Sequence, residues 1–146
     1  MYILVVEDDH LQYQDICDNL KQAFPNVRVK HIRSESEFRS FFESEERELP
    51  NLVVLDMMLC WANASKNMPP APKEVTEGKY YRAGLRCKKF LDEREETKKI
   101  PVILYTVLER DDLEENVEGI HQKTRYLRKD PDSEEFIQLA RELVGL

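Results

Sequence analysis

Three carboxylates, one hydroxyl and one ammonium group each follow a short, mainly apolar segment of the chain. They belong to Glu7 with Asp8, Asp56, Thr106 and Lys129. A single acidic residue at the end of such a segment would mean little, because strand ends are often polar. The joint pattern predicts that all five side chains gather at one rim of a sheet.

Carboxylates that gather in one place repel one another, and one of them tends to protonate unless a cation intervenes. Oxygen ligands of this kind suit Mg²⁺, which keeps several waters and therefore has positions open to a phosphoryl group. Asp56 could then act as a nucleophile that forms an acyl phosphate. Mg²⁺ and Lys129 would supply the positive charge that phosphoryl transfer requires. The Thr106 hydroxyl could hydrogen-bond an oxygen of the added group.

The elements that must position these side chains follow from the apolar periodicity, which alternates between strand and helix patterns. Strands are predicted at 2–6, 27–32, 52–55, 102–105 and 124–128. Five helices are predicted. The first covers 10–24, and the second starts at a capping box formed by Ser34 and Glu37. The third covers 85–95, the fourth includes Leu113 and Val117, and the fifth starts after Asp132 or Ser133. The five repeated β-α units predict an α/β fold, a five-stranded parallel sheet with helices on both faces. Ligands of such sheets collect beyond the carboxyl ends of the strands, where the five side chains lie.

Length and charge narrow the class of protein further. The 146 residues correspond to one domain, and the net charge of −7 disfavours direct binding to nucleic acid or to an anionic membrane. No apolar run reaches the length of a membrane span, and the N-terminus lacks a secretory pattern, so we expect a cytoplasmic protein. Three cysteines without C-x-x-C spacing favour free thiols.

The sequence resembles the receiver domain of the response regulators of bacterial two-component systems. The matching segments are Ile3 to Asp9, Leu52 to Asp56, Val102 to Thr106 and Tyr126 to Lys129, and the resemblance covers nearly the whole chain. It implies a flavodoxin-like, doubly wound sheet with strand order 2-1-3-4-5. It also implies a stand-alone signalling switch that spans residues 1–146 and catalyses only its own phosphorylation and dephosphorylation.

The resemblance assigns a role to each matching position. Asp56 becomes the phosphoacceptor, and Glu7, Asp8, Asp56 and the backbone carbonyl of Met58 become the Mg²⁺ ligands. Thr106, Lys129 and Tyr126 become the residues that bind the phosphate or report its arrival. The implied partners are a sensor histidine kinase or a histidine phosphotransfer protein, and an unknown downstream protein; a homodimer is left open.

The chain departs from the family pattern in three places. Leu59 and Cys60 replace the usual Met-Pro pair, and Asp130 separates Lys129 from the next proline, whereas a cis Lys-Pro bond is typical of the family. Residues 57–79, which are rich in proline near Met68 and Pro69, are an insertion that we expect to form a loop without helix or strand. Trp61 in this loop, its prolines, and Tyr80 and Tyr81 just beyond it favour partner recognition or covering of the site. The alternative is a tolerated surface insertion.

Two other functions compete with the receiver hypothesis. A phosphohydrolase with an aspartyl nucleophile would need a second acid two residues after Asp56, where the chain has Met58. A pseudo-receiver that only binds other proteins would usually lack one of the acids, the threonine or the lysine, and none is missing. The pseudo-receiver therefore stays open only because the insertion could block access to Asp56.

Overall fold

A computed structural model describes residues 1–62, 68–76, 82–109, 123–130 and 132–145. The strands are β1 (Tyr2–Val6), β2 (Arg28–Ile32), β3 (Leu52–Leu55), β4 (Val102–Thr106) and β5 (Thr124–Arg128). The helices are α1 (His10–Ala23), α2 (Glu35–Glu43), α3 (Lys73–Thr76), α4 (Ala83–Asp92) and α5 (Glu134–Leu143). The predicted helix around Leu113 and Val117 lies outside the described residues.

The five strands form one parallel sheet in the order β2-β1-β3-β4-β5, which confirms the predicted fold class. β3 and β4 are buried along their whole length, and β1 is buried after its first residue, because helices cover both faces. The edge strand β2 instead alternates between exposed and partly buried residues until the buried Ile32. This difference explains why the three central strands are continuous apolar runs. Among the described helices, none combines the length and the apolar character that a membrane span requires.

Two apolar clusters fix the sheet between its helices. One contains Phe38 and Phe42 of α2 with Leu91 of α4, and the other contains Leu20 of α1 with Phe136 of α5. Successive side chains of a strand point to opposite faces, so the central strands contribute to both clusters. The resulting frame holds the carboxyl ends of β1, β3, β4 and β5 along one rim.

Helix capping agrees with the sequence prediction in part. The Ser34 hydroxyl accepts a hydrogen bond from the Glu37 amide, as in a capping box. In a complete capping box the Glu37 carboxylate would accept from the backbone amide of Ser34. Here it accepts instead from the amide of Arg33, one residue earlier. At α5 the cap position is Ser133, while the carboxylate of Asp132 accepts from the Glu134 amide.

The predicted loop at 57–79 needs a correction. Lys73 to Thr76 form the short helix α3, which starts directly after Pro72, whose carbonyl accepts from the amides of Val75 and Thr76. A proline just before the first turn does not obstruct a helix, so the proline content was a poor guide at this end. Met57 and Leu59, at the other end, are fully buried core residues.

Gly84 lets α4 pack directly on the backbone that follows β3. A Cβ atom at this position would lie 2.6 Å from the Asp56 carbonyl oxygen and 2.8 Å from the Met57 Cα. The Gly84 amide also donates to the Met57 carbonyl at 3.1 Å. The start of α4 thus fixes the peptide that carries Asp56, and only glycine fits there.

We expect Gly84→Ala to destabilise the protein although alanine favours helix by about 1 kcal/mol. Overpacking costs about 1–3 kcal/mol, and here the contacted atoms are backbone that cannot rotate away. Urea denaturation should show a lower midpoint for Gly84→Ala. Lys89→Ala, at an exposed position of the same helix, is the matched control and should leave the midpoint unchanged. Equal midpoints for Gly84→Ala and the wild type would contradict this account.

Candidate functional site

The strand ladder itself brings the acidic side chains together. The Asp56 amide donates to the Val6 carbonyl at 3.0 Å, and the Glu7 amide donates to the Ile32 carbonyl at 3.0 Å, so β-type hydrogen bonding continues one residue beyond β1 and β3. Carboxylate oxygens of Glu7, Asp8 and Asp56 lie within 4.8 Å of one another. The structure therefore forms the acidic cluster that the sequence predicts.

The three acids differ in their exposure to solvent. The Glu7 and Asp56 side chains are 1% and 7% exposed, whereas Asp8 is exposed. Asp9, the next acid, caps α1 by accepting from the Gln12 amide at 3.0 Å and is outside the cluster. The pocket is therefore closed around Glu7 and Asp56 and open to solvent at Asp8.

Lys129 joins two of these acids to the end of β5. Its amide donates to the Thr106 carbonyl at 2.7 Å, which extends the β4–β5 ladder and turns the lysine toward the pocket. The ammonium Nζ lies 2.6 Å from Glu7 Oε1 and 3.0 Å from Asp56 Oδ2, and it also contacts Gln12 Oε1. The predicted position of Lys129 in the site is therefore what the structure shows.

The electrostatics of the pocket are dominated by Glu7. Burial raises the pKa of Glu7 to about 8, with the neighbouring Asp56 as the second cause, while Lys129 opposes the shift. Among the described residues, no donor reaches Glu7 Oε2, which is buried. Either a shared proton or a cation can satisfy this oxygen. The donor set of three carboxylates with one buried, unsatisfied oxygen fits a hard divalent cation such as Mg²⁺.

The remaining predicted site residues lie around the pocket. Thr106 ends β4 and is fully buried, and its hydroxyl accepts from the Leu108 amide at 3.3 Å. Tyr126 on β5 donates from its hydroxyl to the Leu108 carbonyl and packs on the apolar cluster. Both side chains thus bind the same short segment after β4. Met58 donates its amide to Asp56 Oδ1 at 3.2 Å, and the role of its carbonyl as a metal ligand stays a prediction.

The peptide bond after Lys129 is trans, as are all bonds between the described residues. The cis geometry typical of the resembled family is therefore not reproduced at Lys129–Asp130. Cys17, Cys60 and Cys87 are free, as the sequence predicts.

Two residues of the site had no assigned role in the sequence prediction. Gln12 contacts the Lys129 ammonium. His31 on β2 donates a hydrogen bond from Nε2 to the Glu7 carbonyl at 2.7 Å, and its ring stacks on Tyr13. Burial lowers the pKa of His31, which favours the neutral ring. Neither residue follows an apolar run, so the rule that found the acids could not find them.

The start of the insertion is bound to both the pocket and α2. The Cys60 amide hydrogen-bonds the Asp8 carboxylate, and the carbonyls of Cys60 and Trp61 accept from the amides of Glu35 and Ser36 at 3.0 and 2.7 Å. These two bonds satisfy free amides in the first turn of α2. The insertion therefore leaves the site along the N-terminus of α2.

A buried charge cluster holds the later part of the insertion. Glu35 is fully buried and accepts from Arg86 of α4 at 2.8–3.2 Å and from Arg39 of α2 at 3.0 Å. Arg39 also binds Glu74 of α3 at 2.9 Å and lies over the Trp61 ring. Trp61 in turn donates to the Pro69 carbonyl at 2.9 Å. The tyrosines at 80 and 81 lie outside the described residues.

Comparison with solved structures identifies the fold. The chain is similar to response regulator Rcp1 in its Mn²⁺-bound form, with 23% identity, a TM-score of 0.63, and coverage of 99% of this chain and 89% of the other. It is also similar to the receiver domain of a DNA-binding response regulator from Colwellia psychrerythraea, at 19% identity, a TM-score of 0.66 and coverage of 100% and 99%. A third similar structure is response regulator TrrA from Thermotoga maritima with Mg²⁺ and BeF, at 19% identity, a TM-score of 0.64 and coverage of 97% of each chain.

These similarities define the class of fold: the chain has the fold of response regulator receiver domains, as the sequence resemblance implied. No protein-family model matches the sequence, and no curated protein does either. The likeness to known proteins lies in the three-dimensional structure.

Proposed function

We propose that this chain is a phosphoaccepting receiver that acts as a signalling switch, with Asp56 as the phosphoacceptor. The observation that carries the proposal is the Lys129 ammonium, which bridges Glu7 and Asp56 while Asp8 completes a cluster within 4.8 Å. A nucleophilic carboxylate, a fixed cation and a metal-compatible acid pair are the components that phosphoryl transfer to aspartate needs.

The residues act as follows in the proposed reaction. An Asp56 carboxylate oxygen forms a bond to phosphorus while the phosphorus–nitrogen bond of a phosphohistidine breaks, and the bonding electron pair goes to the imidazole nitrogen. Lys129 stabilises negative charge on a phosphoryl oxygen. Thr106 redirects its hydroxyl to another phosphoryl oxygen, which changes its bond with the Leu108 amide. Hydrolysis of the acyl phosphate by water resets the switch.

Glu7, Asp8 and Asp56 would hold Mg²⁺, together with the Met58 carbonyl. When bound, the metal supplies positive charge to the transferring phosphoryl group. Its fit to this chain rests on the unsatisfied Glu7 Oε2 and on the open side of the pocket at Asp8. The proposed resident cofactor is therefore a single divalent cation.

The structural change on phosphorylation would be transmitted through the segment that follows β4 and includes Leu108. Thr106 and Tyr126 both bind Leu108, one through the amide and the other through the carbonyl. A phosphoryl group that captures the Thr106 hydroxyl would pull on this segment and on the Tyr126 hydroxyl. Tyr126 is then the residue that reports phosphorylation at the surface.

Partners follow from the same proposal. The phosphodonor is a histidine kinase or a histidine phosphotransfer protein, and a downstream protein reads the phosphorylated state. The chain's only catalysis is its own phosphorylation and dephosphorylation, in the cytoplasm.

A phosphohydrolase is disfavoured because Met58 occupies the position of the general acid. A pseudo-receiver is disfavoured because the chain keeps the acids, the threonine and the lysine, of which such modules usually lack at least one.

The direct test is incubation with acetyl phosphate and Mg²⁺, followed by intact mass measurement. We expect a mass increase of one phosphoryl group that requires the metal and is lost on mild base treatment, as for an acyl phosphate. An unmodified mass over a range of acetyl phosphate concentrations would contradict the proposal.

We further propose that the insertion recognises a partner. Met68, Pro69 and Pro70 are exposed, and the stiffness of a proline-rich segment limits the entropy lost on docking. Replacing residues 68–76 with a Gly-Ser segment of equal length should leave the half-life of phospho-Asp56 unchanged and abolish capture of a partner from lysate. A Glu74→Ala variant, which keeps the prolines, is the control for loosened anchoring. Capture of the same partners by the replaced variant would show that the segment is only a surface insertion.

A further inference from the structure

The Lys129 ammonium already uses all of its hydrogen-bond donors. A lysine ammonium has three N–H groups and no acceptor. Its three acceptors are Glu7 Oε1 at 2.6 Å, Asp56 Oδ2 at 3.0 Å and Gln12 Oε1. A phosphoryl oxygen that arrives at Asp56 can bind Lys129 only if one of these acceptors gives up its donor.

With Mg²⁺ bound, Glu7 and Asp56 are both ionised, and Gln12 is the neutral acceptor among the three. Hydrogen bonds from an ammonium to carboxylates are stronger than those to a neutral amide oxygen, so the bond to Gln12 is the weakest of the three. The backbone of Gln12 is fixed at the start of α1, since its backbone amide donates to the Asp9 carboxylate. The Gln12 side chain is half-buried.

Gln12 lies where the site opens into a groove of about 590 Å³ between α1 and the start of α5. Asp15, Asn19, Tyr105 and Ser133 line the same groove, and Lys129 closes its end. The amide can therefore turn into open space when it releases the ammonium. The two carboxylates have no such freedom, because both are almost completely buried.

We propose that Gln12 is a positioning residue that holds the third donor of Lys129 and releases it to a phosphoryl oxygen when Asp56 is modified. This inference rests on the proposed phosphoacceptor function and deepens it. Gln12 keeps Lys129 oriented toward Asp56 in the unmodified protein, and it competes with the phosphoryl group for the same N–H. The strength of this acceptor then sets how firmly the site holds the phosphoryl group.

Two substitutions of Gln12 should change the affinity for a phosphoryl analogue in opposite directions. Gln12→Met has a similar length and no comparable acceptor, so the third donor becomes free and binding of a phosphoryl analogue should tighten. Gln12→Glu places a charged acceptor at the same point and should weaken that binding. The expected change is about two- to tenfold in each direction, the net effect of one hydrogen bond.

The probe is beryllium fluoride with Mg²⁺, titrated calorimetrically into the purified chain. Mg²⁺ affinity is measured first in each variant, so that the beryllium fluoride titrations are compared at equal saturation with Mg²⁺. Asn19→Leu is the matched control, since it lies on α1 in the same groove and is not among the acceptors of Lys129. Melting temperatures identify any variant whose fold is damaged.

The results separate the inference from the function on which it rests. Tighter binding in Gln12→Met and weaker binding in Gln12→Glu, with Asn19→Leu at the wild-type affinity, supports the inference. Binding in both Gln12 variants that equals the wild type, or that changes in the same direction, overturns it. A wild type that binds no beryllium fluoride in the presence of Mg²⁺ overturns the proposed phosphoacceptor function itself.

Discussion

Asp56→Asn should abolish phosphorylation by acetyl phosphate while the fold stays intact. The amide has the shape of the carboxylate but is not a nucleophile that can form an acyl phosphate. Its oxygen can still accept from the Met58 amide, which bonds Asp56 Oδ1 at 3.2 Å, so the local backbone keeps its support. Intact mass after incubation with the phosphodonor and Mg²⁺ measures the effect.

The same variant should be at least as stable as the wild type at neutral pH. Asp56 is one cause of the raised pKa of Glu7, so removal of its charge lowers the free-energy cost of keeping Glu7 protonated in the folded protein at neutral pH. Asp9→Asn is the matched control, because it changes an adjacent acid outside the cluster and asparagine caps a helix as well as aspartate does. Asp9→Asn should be phosphorylated normally. Incorporation of phosphate into Asp56→Asn at the wild-type level would rule out Asp56 as the acceptor.

The site could be predicted from the sequence to the extent that strand ends determine it. Glu7, Asp56 and Lys129 follow strands of a parallel sheet, and such strands all end at one rim, so their proximity follows from element order alone. The strand bounds were predictable for a related reason: strands covered on both faces are continuous apolar runs, and β1 and β3 begin and end where those runs do.

The contacts of Gln12, His31 and Glu35 could not be predicted in this way. Gln12 reaches Lys129 only because of the angle at which α1 leaves the rim, and His31 reaches Glu7 across two strands whose register is set by the fold. Glu35 looks like an exposed acid of a first helical turn, but it is buried because Arg39 and Arg86 converge on it. Side-chain contacts between distant elements depend on packing geometry that periodicity does not encode.

Composition also failed to predict how the first residues of the insertion are packed. Composition marked residues 57–79 as one loop, whereas Met57 and Leu59 are core residues and Cys60 and Trp61 complete the N-terminus of α2. Proline content reports where helix and strand are disfavoured, but it does not report where irregular backbone is packed. The first residues of this segment are therefore packed against the rest of the domain.

Stability without divalent metal should fall as the pH rises through about 8. The pKa of Glu7 is raised from its ordinary value of 4.5 to about 8, so the folded protein holds a proton that the unfolded chain releases at lower pH. The stability that this group contributes is full below about 4.5 and is lost as the pH rises through about 8. Melting temperatures in a chelator should therefore decline across this range, and Glu7→Gln should flatten the decline because it cannot ionise.

Mg²⁺ should reverse that decline, because the cation favours the ionised carboxylates and binds only the folded state. Saturation at 100 times the dissociation constant stabilises a protein by about 2.7 kcal/mol. The rise in melting temperature on adding Mg²⁺ should be small well below pH 8 and largest above it, since binding at low pH must first displace the Glu7 proton. Asp8→Ala is the informative comparison: it loses a metal ligand but keeps the Glu7–Asp56 pair, so it should lose the Mg²⁺ effect and keep the decline in chelator. A Mg²⁺ effect of equal size at every pH would mean that Glu7 does not hold a proton in the metal-free site.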